Sequence, residues 1–165
     1  MTLSILKTEP KTDAAPAMLM EHDTRKDLRE MVLRVLSSTY VLMIKTQAVH
    51  WNISGPLFKS VHDLTEEQYT DLFEAIDDLA ERIRALGLKA PISYEAIQDF
   101  TSLNSFSDPT LSAEQMLRQL TNDNEELATE LIAATKAAAE VGDPATEDLF
   151  TERLRVHQKN AWMLR

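Results

Sequence analysis

The chain has 165 residues, 44% of them apolar, with only three glycines, six prolines and no cysteine. That length suits one domain with a sizeable core, and the missing thiols exclude disulfides, thiolate zinc sites, cysteine nucleophiles and cysteine-held iron–sulfur clusters. A net charge of −10, from 17 basic and 27 acidic side chains, repels DNA and anionic lipid and attracts cations.

Residues 1–22 mix Thr, Pro, Ala and scattered charge without a period and read as a flexible N-terminal tail. Residues 23–165 read as one helical unit. Lys7 and Lys11 are the basic side chains of the tail, interleaved with Glu9 and Asp13, too sparse for a DNA-binding arm. The start MTLSILKTEPK lacks the basic and apolar regions of a signal peptide. No run of about 18 apolar residues marks a membrane span, so a cytoplasmic protein without membrane contact is expected.

The first helix is expected from Asp23 or Thr24 to Trp51, with Leu28, Val32, Val35, Leu36, Thr39, Leu42, Met43 and Ala48 as its inward stripe. Asn52, Ser54, Gly55 and Pro56 then break the pattern. A second helix follows from about Pro56 to Leu86, burying Val61, Leu64, Leu72, Phe73, Ile76, Leu79, Ile83 and Leu86, and Gly87 and Pro91 end it. The stretch to Pro109 is too long for a simple turn, and SYEAIQDF can form a short helix capped by Ser93. SAEQ, from Ser112 to Gln115, matches a capping box and starts a helix ending near Val141, with Met116, Leu117, Leu120, Leu127, Leu131 and Ala134 inward. Asp143-Pro144 supplies an N-cap and an N1 proline for the last helix, which carries Leu149, Phe150, Leu154, Ala161 and Trp162. The expected fold is all-α: a ferritin-like four-helix bundle with one long connection, carrying a short extra helix, between its second and third main helices.

Two histidines flank the first turn symmetrically, His50 six residues before Pro56 and His62 six after it. If the flanking helices fold back as a hairpin, the two imidazoles stand at one height, like half of a metal site. Asp77 and Glu81 form an i,i+4 pair on the second helix, as do His62 and Glu66. His62 and Asp77 are nevertheless fifteen positions apart, about 22 Å along the axis. One metal ion cannot touch both within one chain. Two copies packed antiparallel about a two-fold near residues 71–72 would bring the histidines of one copy opposite Asp77 and Glu81 of the other. Glu-x-x-His occurs nowhere, which argues against a di-iron centre inside one bundle. His22 and His157 have no partners at ligand spacing and read as structural.

The run KTQAVHWNISGPLFKSVHDLTEEQYTDLFEAIDDLAERIRALG resembles the Dps family, the DNA-binding proteins from starved cells or mini-ferritins. The likeness extends from about residue 24 to the end and rests on His-x11-His-x14-Asp-x3-Glu across two consecutive helices. It implies a homo-oligomer, a dodecameric shell built from two-fold dimers, that oxidises Fe(II), preferably with hydrogen peroxide rather than oxygen, and stores the ferric, Fe(III), product. His50 and His62 then match the catalytic metal ligands of one subunit, and Asp77 and Glu81 those of its neighbour. Glu66 stands where some members carry a further acidic ligand, and Trp51 where an aromatic ring lies beside the centre. Oxygen and imidazole donors suit Fe(II) but also Zn(II), Co(II) or Mn(II). Ligand histidines must be neutral at the coordinating nitrogen, so binding should weaken below about pH 6. Asp143, Asp148 and Glu152 align with acids lining iron-entry pores on the three-fold axes, although acids at a helix start also serve as ordinary caps.

The family name suggests a second function, DNA compaction, with iron oxidation secondary. This chain departs from that pattern in its sparsely basic N-terminus and its lack of basic residues after the last helix. Twelve copies would carry about −120. Arg25 and Lys26, or bridging divalent cations, are the remaining routes to DNA, and iron handling is the leading expectation.

Overall fold

The computed structural model describes residues 21–165; the tail expected at residues 1–22 lies almost wholly outside that range. Five helices follow one another: α1 (His22–Asn52), α2 (Phe58–Ala85), α3 (Tyr94–Gln98), α4 (Ala113–Glu140) and α5 (Pro144–Leu164). The described residues contain no strand. α1 packs along α2, α4 packs along α5, and α1 against α4 joins the two hairpins into a four-helix bundle. α3 sits in the long connection, against α1.

The helix ends follow local chemistry. Ser112 accepts from Gln115 N–H while the Gln115 side chain accepts from Ser112 N–H, completing the capping box. Asp143 caps α5 by accepting from Thr146 N–H, ahead of Pro144. Ser93 accepts from Ala96 N–H to start α3. α2 begins two residues after the expected Pro56, because Ser54–Leu57 form the turn itself, where Gly55 takes a φ of 89°.

Leu36 and Leu42 of α1, Leu72, Leu79 and Ile83 of α2, Leu120, Leu127 and Leu131 of α4, and Phe150 of α5 form the centre of the core. One expected core residue is not there: Phe73 is 67% exposed, and Trp162 of α5 is likewise 71% exposed. Successive helix residues lie about 100° apart, so Leu72 and Ala161 occupy the inward positions and turn their neighbours outward.

The seam between α2 and α5 is crossed mainly by polar side chains. Arg82 donates to both Asp143 oxygens at 2.8 and 2.6 Å and to Thr146 Oγ1 at 2.8 Å. Nearer the other end, Arg153 pairs with Asp71 at 3.2 and 2.6 Å. Because Arg82 meets residues 143–146 while Asp71 meets residue 153, the two helices run antiparallel.

His157 is fully buried beside this seam, and its Nδ1 lies 2.9 Å from Asn124 Oδ1. The Asn124 amide nitrogen donates to the Leu120 carbonyl at 2.8 Å. Its oxygen is thereby the acceptor, and His157 Nδ1 must carry the proton. Burial, with a smaller contribution from the Arg153 cation, lowers the His157 pKa from 6.5 to about 3. The unfolded chain therefore gains a proton below pH 6.5 that the folded chain refuses, so stability is complete above 6.5 and is lost as pH falls toward 3. At pH 5 the loss should be about 2 kcal/mol. Denaturant unfolding at pH 7 and pH 5 will show this, and His157→Gln should flatten the difference; an equal slope in both proteins would show that His157 does not carry it.

Candidate metal centre

α1 ends just after His50 and α2 begins just before His62, so the Gly55 turn folds the two helix ends into contact. The imidazoles stack with centroids 3.8 Å apart and planes 17° from parallel. Each ring grips the other's backbone: His50 Nδ1 lies 2.9 Å from the His62 carbonyl, and His62 Nδ1 lies 2.9 Å from the His50 carbonyl. A carbonyl can only accept, so each Nδ1 carries a proton. Both Nε2 lone pairs are left for a Lewis acid. The same arrangement, one nitrogen donating to a carbonyl and the other facing a metal, orients histidine ligands generally.

The stack continues on both sides. Phe58 lies against His62 with centroids 5.0 Å apart, and Tyr69 meets His50 edge-on at 5.3 Å. These rings restrict both imidazoles to one orientation. His50 is buried and His62 half-buried. Trp51, expected beside the centre, follows His50 but is 69% exposed and points away from the core.

The remaining expected ligands lie elsewhere on the surface of α2. Glu66 is exposed one turn beyond His62, and Asp77 and Glu81 are exposed further along the same helix. Among the described residues of one chain, no three His, Asp or Glu side chains gather as a metal-binding group. One chain therefore brings together the two histidines and leaves the acid pair about 22 Å away along α2. Phe73 lies between them on the same face, eleven residues after His62 and four before Asp77. An exposed phenylalanine in the middle of a ligand-bearing face is a signal that helix periodicity did not single out, because Leu72 and Phe73 are equally apolar.

The acids of the expected pore divide. Asp148 and Glu152 are exposed on the first turns of α5. Asp143 is 3% exposed, and its carboxylate is engaged by Arg82 and by the backbone and hydroxyl of Thr146. Burial alone would raise its pKa, but the hydrogen bonds from Thr146 and Arg82 outweigh it and hold the carboxyl below its usual range. Asp143 thus acts inside this chain as a cap and an ion-pair partner, and it has no free oxygen to offer a passing cation.

The ferritin-like domain model matches residues 30–165, which include most of α1, all of α2, α4 and α5, and the histidine pair. The DNA protection during starvation protein of Agrobacterium fabrum is 31% identical over 151 residues, covering 87% of this chain and 93% of that protein. Dps from Thermosynechococcus elongatus superposes with a TM-score of 0.83 at 29% identity, covering 86% of this chain and 90% of that one. The Dps protein of Vibrio cholerae O1, described as a member of a broad superfamily of ferritin-like diiron-carboxylate proteins, gives a TM-score of 0.80 at 28% identity, covering 86% and 89%. The chain belongs to the Dps family of ferritin-like proteins. Membership supports iron storage and protection, with iron as the metal handled, and homo-oligomeric assembly. No described helix is long and apolar enough to cross a membrane.

Proposed function

We propose that the protein is a ferroxidase and iron store: it binds Fe(II) at sites shared between two copies, oxidises it, preferably with hydrogen peroxide, and keeps the ferric product inside a shell of twelve subunits. The observation carrying this reading is the reciprocal His50–His62 clasp, which commits both Nδ1 atoms and leaves both Nε2 atoms at one end of a helix whose acid pair lies too far away to join them. A second copy, antiparallel about residues 71–72, supplies Asp77 and Glu81 to these histidines. The exposed Phe73 then packs near the two-fold axis, where an apolar side chain of one copy meets its equivalent.

The chemistry follows from the donors. Two imidazoles and two carboxylates neutralise a divalent cation and favour its oxidation to the trivalent state, because anionic oxygens in a partly desolvated cleft attract a 3+ ion more strongly than a 2+ ion. Two ferrous ions each give one electron to one peroxide, whose O–O bond breaks; with two protons it leaves as two waters. Glu66, one turn from His62, adds a further carboxylate within reach of the same cleft. Zn(II), Co(II) and Mn(II) fit the same donors and would compete for the site. Asp148 and Glu152, exposed at the start of α5, provide the acidic entrance that concentrates Fe(II). The charge of −10 per chain opposes direct binding of DNA phosphates, so iron oxidation rather than DNA compaction is the primary activity.

Anaerobic titration of the Fe(II)-loaded protein with hydrogen peroxide tests this. The expected endpoint is about two Fe(II) oxidised per peroxide, with no hydroxyl radical trapped, since paired one-electron donation completes the reduction at the site. Oxidation at the rate of free Fe(II), with radical release, would refute the proposal.

A further inference from the structure

We propose that the α2–α5 seam contains a binding site for one interior water molecule, held by Gln68, Arg153 and His157. Gln68 and Arg153 are each 5% exposed and His157 is fully buried. Gln68 Nε2, Arg153 Nε and His157 Nε2 are sealed from solvent, and none has a hydrogen-bond partner within the protein. Three such atoms within about one turn of one another call for a shared partner, because buried polar groups are almost always satisfied.

The antiparallel register brings Gln68 and His157 to one height, about one turn from Arg153. The Arg153–Asp71 pair ties the two helices at one height. Gln68 lies three residues before Asp71 on α2, and His157 lies four residues after Arg153 on α5. On antiparallel helices those steps lead in the same direction, about one turn along the bundle. Arg153 and His157 are an i,i+4 pair on α5, so the two side chains are neighbours on one face of that helix.

The hydrogen-bonding pattern selects the guest. Gln68 Nε2 and Arg153 Nε present N–H donors. His157 Nε2 presents a bare lone pair, because its Nδ1 proton is committed to Asn124. The guest must accept two hydrogen bonds and donate one. A cation is opposed by the two N–H groups, and an anion by the His157 lone pair. Asp71 already balances the charge of Arg153, so a neutral guest fits, and water supplies the required donor and acceptors at the smallest size.

A crystal structure of the full-length assembled protein should show, in every subunit, one ordered peak within hydrogen-bonding reach of all three atoms. A dry seam, in which the Gln68 amide is turned so that its oxygen accepts directly from Arg153, would overturn the proposal. Gln68→Met gives a second reading in solution. If the amide binds water, removing it strips one of three partners and Tm falls by about 2–4 °C. If the amide is an unsatisfied buried group, the same substitution relieves a cost, and an unchanged or higher Tm would count against the site.

Discussion

A His50→Ala/His62→Ala double variant should still assemble but oxidise Fe(II) with peroxide about tenfold more slowly or worse, since even outer-shell partners of metal ligands are worth that much. The fold should survive because the core leucines of α1, α2 and α4 are untouched. What is lost structurally is the pair of 2.9 Å bonds that tie the end of α1 to the start of α2, worth about 1 kcal/mol each. Slower oxidation with intact assembly separates ligand loss from unfolding. Unchanged kinetics in a well-folded double variant would remove both histidines from the site.

Mixing that variant with Asp77→Ala/Glu81→Ala tests the sharing directly. In a mixed dimer one site combines the two defects and stays dead, while the other takes its histidines from the acid-deficient copy and its acids from the histidine-deficient copy. Random pairing makes half the dimers mixed, so about one quarter of the wild-type sites should return. If each site were complete within a single chain, no mixture would recover any activity.

Much of this molecule is legible before folding because its signals are local. The Ser112–Gln115 capping box, the Asp143 cap and Pro144 each act within four residues, and all appear in the structure. The meeting of His50 and His62 is also local, since a short turn leaves few ways for two helices to separate. The reciprocal clasp is not legible, because it depends on ring orientation against a backbone twelve residues away. Phe73 misleads because Leu72 and Phe73 are both apolar and only packing decides which turns inward. His157 finds its partner Asn124 thirty-three residues back, and Asp143 finds Arg82 sixty-one residues back, distances at which sequence spacing carries no information.

Asp143→Ala should be strongly damaging, lowering stability by about 3–5 kcal/mol because it strands the Arg82 guanidinium against a buried seam. Arg82 and Asp143 have side chains only 15% and 4% exposed, so solvent cannot replace the lost partner. Loss of the α5 cap adds to the damage, by about 1 kcal/mol. Asp143→Asn keeps an oxygen for the Thr146 N–H and should cost less, which separates charge from capping. The acid response has a definite sign. The folded carboxyl is held below its ordinary range, so its stabilisation is present above the unfolded value of about 4 and disappears as pH falls through the folded one. That window starts inside the lower end of the one set by His157, which runs from 6.5 to about 3, and Asp143→Asn should reduce the loss below about 4 while leaving the loss above it. Thermal unfolding of the assembled protein against pH resolves the two. Should Asp143→Ala leave Tm unchanged yet slow iron uptake, the carboxylate would have to be reassigned from the seam to the entrance beside Asp148 and Glu152.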